Sequence, residues 1–276
     1  MGKIIAIAAP KGKVGKSTSA INLSAALALS GNRTMLIDLD PAGACITGLG
    51  FGKKEATEDI FDQKENITSV KPHLLKTKII NLELLRIRRL PYIKEEKSAE
   101  LKKNEYILRN ILRPELSHYD YIIMDCPPHL KGTMNACLIA ADSILIPTVL
   151  AGFSIAVVSR MIAQADFIRE KFNHQLKIAG IFLTIFEKDN EIAAVIKKEL
   201  TEIYEGYILN TLIPKSPRVR QAFNNKKPVV IYNPEDEAAK AYRKLTAISN
   251  SAEEALALGP NLYYIKGPVS RSFKEE

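Results

Sequence analysis

The chain has 276 residues, 46% of them hydrophobic, and a formal net charge of +8. That length and apolar content suffice for one sizeable buried core, and α/β domains of this size commonly stay undivided. Three cysteines with no C-x-x-C spacing, no signal peptide and no long apolar span argue against a disulfide framework, a clustered metal centre and a spanning helix, so a reduced, cytosolic protein is expected.

In chain order, a short apolar strand over 4–8 runs into Ala9-Pro-Lys-Gly-Lys-Val-Gly-Lys-Ser-Thr18 and then a helix over 16–30, closed by Gly31. A strand, a glycine-rich turn and a helix start form a phosphate cradle: backbone N–H groups hold the phosphates, a Lys reaches the β/γ oxygens and a hydroxyl serves Mg²⁺. Gly15-Lys16-Ser17 match the end of the usual G-x-x-x-x-G-K-[ST] pattern, Pro10 stands where its first glycine belongs, and Lys11 adds a second lysine. Lys11 is too far along the chain to duplicate Lys16, but it stands where it could reach a nucleotide presented by a second subunit. A cation acting in trans suits phosphoryl transfer, which depends on positioning and charge neutralisation.

Next comes a buried strand over 34–39 ending in Asp38 and Asp40, then a charged, less regular stretch over 52–118. This stretch is expected to decorate the sheet, with a strand over 81–87 and a helix over 98–112. Its densest part, 86–103, holds seven basic and three acidic residues and reads as a solvated helix face. A strand over 121–125 ends in Asp125, as a metal-supporting acid should. Helices over 133–141, 154–171 and 190–204 then alternate with strands over 143–148, 178–184 and 208–213. The alternation predicts right-handed βαβ units: an α/β fold with a mostly parallel twisted sheet and helices on both faces. In such sheets ligands bind beyond the carboxyl ends of the strands, where the phosphate loop and the three acids all fall.

These motifs resemble the ParA/MinD family of deviant-Walker ATPases, and most closely the ParA-type partition ATPases. The resemblance is carried by Lys11-Gly12-x-Val14-Gly15-Lys16-Ser17-Thr18, Asp38-Leu39-Asp40-Pro41, Gly48-Leu49-Gly50, the run from Tyr119 to Pro128, and the run from Ala140 to Pro147. Gly180-Ile-Phe-Leu-Thr184, Ile213-Pro214 and the run from Lys227 to Pro234 extend it to roughly residue 250. The resemblance implies a single P-loop NTPase domain over 1–258 with a C-terminal tail over 259–276, and ATP and Mg²⁺ as cofactors. It places Gly12, Lys13, Val14, Gly15, Thr18 and Pro214 around the nucleotide and Lys16 on the β/γ-phosphates. Ser17, Asp38 and Asp125 would serve the metal, Asp40 would orient the attacking water, and Lys11 would reach across an ATP-sandwich homodimer. The implied protein is a switch that binds DNA non-specifically, joins the nucleoid when ATP-bound, carries a chromosome, plasmid or other cargo, and is stimulated by an adaptor protein.

The family has Gly at the position of Lys13 and Gln and Asn at those of Ala42 and Ala44, so slow hydrolysis is expected. A nucleotide-binding module with degenerate catalysis is the alternative. The sharpest basic patch, Lys215, Arg218, Arg220, Lys226 and Lys227, contains no acid and suits contacts to phosphate backbone without base reading. It reads as a loop. A MinD-like membrane helix is not expected, because the last eighteen residues are broken twice by Gly-Pro.

Overall fold

The computed structural model describes residues 2–52, 70–87, 106–129, 132–187 and 191–251. Eight strands form one sheet in the order β3-β4-β2-β5-β1-β6-β7-β8, in which only β3 (Leu75–Lys76) runs antiparallel to its neighbour. The parallel strands are β1 (Lys3–Ile7), β2 (Thr34–Asp38), β4 (Leu82–Arg86), β5 (Tyr121–Asp125), β6 (Ser143–Thr148), β7 (Lys177–Phe186) and β8 (Ile208–Pro214). The central strands are mostly Ile, Leu, Met and Ala without apolar/polar alternation, because both of their faces are covered.

Successive side chains of each strand feed two cores. Ile4 and Ala6 pack with α3 (Ile107–Leu112), α4 (Thr133–Ala140), α5 (Ser154–Lys171) and α6 (Glu191–Ile203) on one face. Ile5 and Ile7 pack with α1 (Lys16–Leu29), α2 (Ala44–Gly48), α7 (Pro217–Asn224), α8 (Val229–Tyr232) and α9 (Glu237–Ser251) on the other. Helix α1 is buried almost all round, since it lies between the sheet and α9. Its small Ser19 lets the helices approach, and the Ser19 hydroxyl meets that of buried Tyr242 at 3.3 Å. Truncating Leu23, fully buried in this layer, to Ala would cost about 2–5 kcal/mol.

The register positions the site. Asp38 pairs with Asp125 across β2 and β5, and Ile7 of β1 pairs with Asp125 from the other side. Two carboxylates and the start of the phosphate loop therefore emerge side by side, one strand spacing of about 4.8 Å apart.

The expected strands and helices are present with shifts of a few residues at their ends. Three expectations need correction. The stretch over 52–118 does more than decorate, because β4 lies inside the parallel sheet against β2. Arg86, read as part of a solvated face, is buried at the end of β4, since an acid on the neighbouring strand compensates its charge. Of the helix expected over 98–112, residues 98–105 lie outside the described residues, as do the rest of the charged run and the tail. The basic stretch read as a loop contains α7, which Ser216 caps by accepting a hydrogen bond from the Arg218 N–H, with Pro217 in the first turn.

Candidate functional site

The loop between β1 and α1 turns through Gly15, whose left-handed φ of 86° lets α1 begin at Lys16. Lys13 takes a φ of 63°, the conformation a glycine would supply, so the loop keeps its path although the side chain disfavours it. Lys13 is exposed and Val14 buried, and the Val14 carbonyl accepts from the Thr184 hydroxyl at 2.9 Å. Ile185, next after Thr184, also has a positive φ, 53°, and is exposed. Strained backbone thus flanks the mouth of the site from both β1 and β7.

Lys16 is buried and donates to the Lys11 carbonyl at 2.7 Å, so its ammonium lies inside the loop's curve. Burial lowers its pKa, while Asp125 and Asp40 oppose that shift. The Lys11 side chain is exposed, with its ammonium 4.7 Å from the centre of the Phe153 ring. Gly12 borders open space, and Ser17 and Thr18 are half-buried in the first turn of α1.

Asp125 is fully buried. Burial pushes its carboxyl up to about 7, with the neighbouring Asp38 adding to the shift and hydrogen bonds from Ser17 and Cys45 opposing it. One oxygen accepts from the Cys45 thiol at 3.3 Å, and the other, Oδ1, has no hydrogen-bond partner. An orphaned buried carboxylate oxygen beside a serine hydroxyl, at the foot of a phosphate-type loop, fits a hard divalent cation such as Mg²⁺.

Asp38 is also fully buried, and burial raises its pKa against the pull of Arg86. Its Oδ2 accepts the N–H groups of Cys45 and Ile46 at 3.0 and 3.1 Å, which caps α2. Its Oδ1 lies 2.9 Å from Arg86 Nη1, an ion pair without an aligned hydrogen bond. Asp38 is thus engaged on both oxygens, and its main visible work is to anchor Arg86 and α2.

Arg86 in turn donates to the carbonyls of Asp40 and Pro41 at 2.9 and 3.1 Å. Gly43, with a φ of 66°, lies directly against the guanidinium, where a Cβ would meet Nη1 at 3.0 Å. The segment from Asp40 to Gly43, which has Ala42 where the resemblance implies an amide side chain, is therefore held from outside by an arginine. Asp40 itself is half-buried, with Oδ1 accepting from the Ala42 N–H at 2.9 Å.

The structure brings Lys11, Lys16, Ser17, Asp38, Asp40 and Asp125 together at one end of the sheet. Pro214 ends β8, opposite Phe186 of β7, and borders an open groove of about 1410 Å³. Lys215, Arg218, Arg220, Lys226 and Lys227 are all exposed, on or beside α7. Two residues of the site were missed in the sequence. Arg86 carried no local signal, because its partner lies on another strand. Cys45 was read without a metal role, yet its sulfur lies with carboxylate oxygens of Asp38 and Asp125, all within 4.8 Å of one another. Its position five residues after Asp40, in the turn following an acidic strand end, was the available clue. Cys126 and Cys137 are buried beside one another and are not part of this group of ligand atoms, although Cys126 follows Asp125 directly.

Comparison with known proteins finds a family model, curated relatives and solved structures of the same fold. The AAA_31 family model, described as an AAA domain, matches residues 2–178. The chain is 33% identical over 251 residues to the chromosome partitioning protein ParA of Myxococcus xanthus, covering 89% of this chain and 87% of that one. It is 30% identical over 250 residues to the sporulation initiation inhibitor protein Soj of Bacillus subtilis, covering 89% and 97%. Among solved structures, cobyrinic acid a,c-diamide synthase from Mycobacterium smegmatis with bound ADP and magnesium superposes with a TM-score of 0.75 at 22% identity, covering 92% of this chain and 96% of that one.

Proposed function

The chain belongs to the ParA/MinD family of ATPases, and from that premise we propose that it is an ATP-driven switch whose ATP-bound form dimerises and holds DNA without regard to sequence. The observation that carries this reading is the convergence of Lys16, Ser17, Asp40 and Asp125 at the carboxyl ends of three adjacent strands. The residues that bind phosphate, hold a cation and orient water are all present in one crevice.

In this reading the N–H groups of the loop from Gly12 to Thr18 and the ammonium of Lys16 bind the phosphates of ATP. Lys16 exchanges the Lys11 carbonyl for phosphate oxygens, so its buried charge gains a formal partner only when nucleotide is present. Ser17 and the free oxygen of Asp125 would hold Mg²⁺, which would supply charge neutralisation for phosphoryl transfer. Asp40, fixed by Arg86 through its own carbonyl, orients water. Lys11 leaves Phe153 and reaches the nucleotide of a second copy. Lys13 flanks the same rim, and Pro214 closes the nucleotide side.

Arg218 and Arg220 on α7, with Lys215, Lys226 and Lys227, contact phosphate backbone, which gives affinity without base preference. Cargo movement then follows from cycles of ATP-dependent dimer formation on DNA and adaptor-stimulated hydrolysis. Arg86 supports this reading over the degenerate module, because its hydrogen bonds to the Asp40 and Pro41 carbonyls hold the backbone that carries Asp40.

Light scattering tests the switch directly. The mass in solution is expected to double with ATP and Mg²⁺ but not with ADP or without nucleotide. Lys11→Ala is expected to abolish the doubling while leaving ATP binding intact. A protein that binds ATP yet stays monomeric in every state would overturn the sandwich-dimer reading.

A further inference from the structure

Among the described residues, Cys45 is the cysteine whose sulfur lies with the carboxylate oxygens of Asp38 and Asp125. It is fully buried, and its thiol donates to Asp125 Oδ2 at 3.3 Å. Two ligands of one tetrahedral ion, a sulfur at about 2.3 Å and an oxygen at about 2.1 Å, lie about 3.6 Å apart. The observed separation therefore needs a change of only a few tenths of an ångström to seat an ion between them. The second oxygen of Asp125 is buried and has no partner, so the crevice already contains an unanswered acceptor. Asp38 is held by two N–H groups and Arg86, and contributes field more than a ligand.

We infer that Cys45 and Asp125 form a binding site for a thiophilic divalent cation of the zinc or cadmium class in the nucleotide-free protein, beside the hydroxyl of Ser17. Mg²⁺ prefers oxygen and gains little from sulfur, whereas zinc-class ions take a thiolate and a carboxylate readily. On binding, the thiol proton leaves to solvent and a metal–sulfur bond forms, with no change of oxidation state. Water fills the remaining positions. The ion would occupy the cation position next to the phosphate loop and compete with magnesium–ATP; only this competition rests on the function proposed above.

The test is a titration of the full-length, nucleotide-free protein with Cd²⁺, read by the sulfur-to-cadmium charge-transfer absorption in the ultraviolet. The wild type is expected to bind one ion with that band. Cys45→Ser is expected to lose the band and weaken binding at least about tenfold, as loss of a ligand generally does. Asp125→Asn should weaken it comparably while leaving Cys126 and Cys137 untouched. Far-ultraviolet circular dichroism confirms the fold of each variant, and Cys45→Ala replaces Cys45→Ser if the latter does not fold. A band that survives in Cys45→Ser would assign the sulfur to Cys126 or Cys137 and overturn the inference. Binding unaffected by Asp125→Asn would overturn it equally. ATP affinity is measured separately, and among proteins shown to bind magnesium–ATP, absence of competition with Cd²⁺ would place the ion elsewhere.

Discussion

The carboxyl ends of the strands and the surface of α7 are both rich in charge, yet they handle it in opposite ways. At the strand ends Asp38, Arg86 and Asp125 are buried and tied to several partners: Arg86 touches Asp38, Asp40 and Pro41, and Asp125 takes hydrogen bonds from Ser17 and Cys45. On and beside α7 the charges face water and make single contacts, such as Lys215 with Glu187 at 2.9 Å and Arg218 with Gln221 at 2.7 Å. Buried charges are worth several kcal/mol each when a partner is removed, while exposed pairs are worth about 0–1 kcal/mol. The first region therefore works residue by residue and the second by summation.

Breaking the Arg86–Asp38 pair gives the largest expected effect. Arg86→Met leaves a fully buried carboxylate unpaired and is expected to cost about 3–5 kcal/mol of stability in urea unfolding. Adding Asp38→Asn should recover a large part of that loss, because the orphaned charge goes with it. Arg86→Lys should fall between, since a lysine supplies the charge but not the fork that reaches both Asp40 and Pro41. A loss below about 1 kcal/mol for Arg86→Met would put this pair in the same class as those on α7.

Asp125 comes next, with a pH signature. Its carboxyl rises from an ordinary 3.8 to about 7 in the folded protein. The folded state then holds a proton that the unfolded state has released, so stability without metal or nucleotide falls as pH rises from about 4 to about 7 and levels off above. Asp125→Asn removes this titration. Its stability advantage over the wild type is expected to grow across that window, to an upper bound on the order of 4 kcal/mol at about 1.4 kcal/mol per pKa unit. An advantage that does not change with pH would show that Asp125 is ionised at no cost, and would bring the two regions closer together.

Much of this contrast could be read in the sequence, and the part that could not is instructive. Asp38, Asp40 and Asp125 were visible because each ends an apolar run, although Asp38 proves to cap α2 and pair with Arg86. The phosphate loop was visible because its spacing is local. Arg86 was hidden: it stands at the head of a charge-rich stretch, and only pairing of β2 with β4 reveals that it faces Asp38. Cys45 was hidden likewise, since its neighbour Asp125 arrives on another strand. Helix α7 had a readable signal, Ser216-Pro217, but the basic residues after it drew attention to charge before capping. Local grammar was legible, whereas compensation between distant residues needed the sheet.

A smaller effect belongs to Lys13, at the border between the two regimes: exposed like α7, strained like the core of the site. Lys13→Gly removes the left-handed penalty of about 1–2 kcal/mol but returns entropy to the unfolded chain. A net gain of about 0.5–1 kcal/mol is expected in urea unfolding. Destabilisation instead would show that the lysine side chain makes a contact worth more than the strain.

The smallest effect per residue is expected on α7, where it is best read as a slope. If the exposed cations contact phosphates of duplex DNA, each releases about one counterion, and the dependence of log affinity on log salt shifts by about 0.9 per contact. Arg218→Ala and Arg220→Ala together should therefore flatten the slope by about 2 while weakening binding to unrelated sequences by similar factors. Neither guanidinium packs into the core, so the melting temperature should hardly move. A slope unchanged by the double variant would remove α7 from the DNA surface. A changed slope with a lowered melting temperature would mean that these arginines carry structural weight as Arg86 does, and the division between buried charges that act singly and exposed charges that act together would fail on the α7 side.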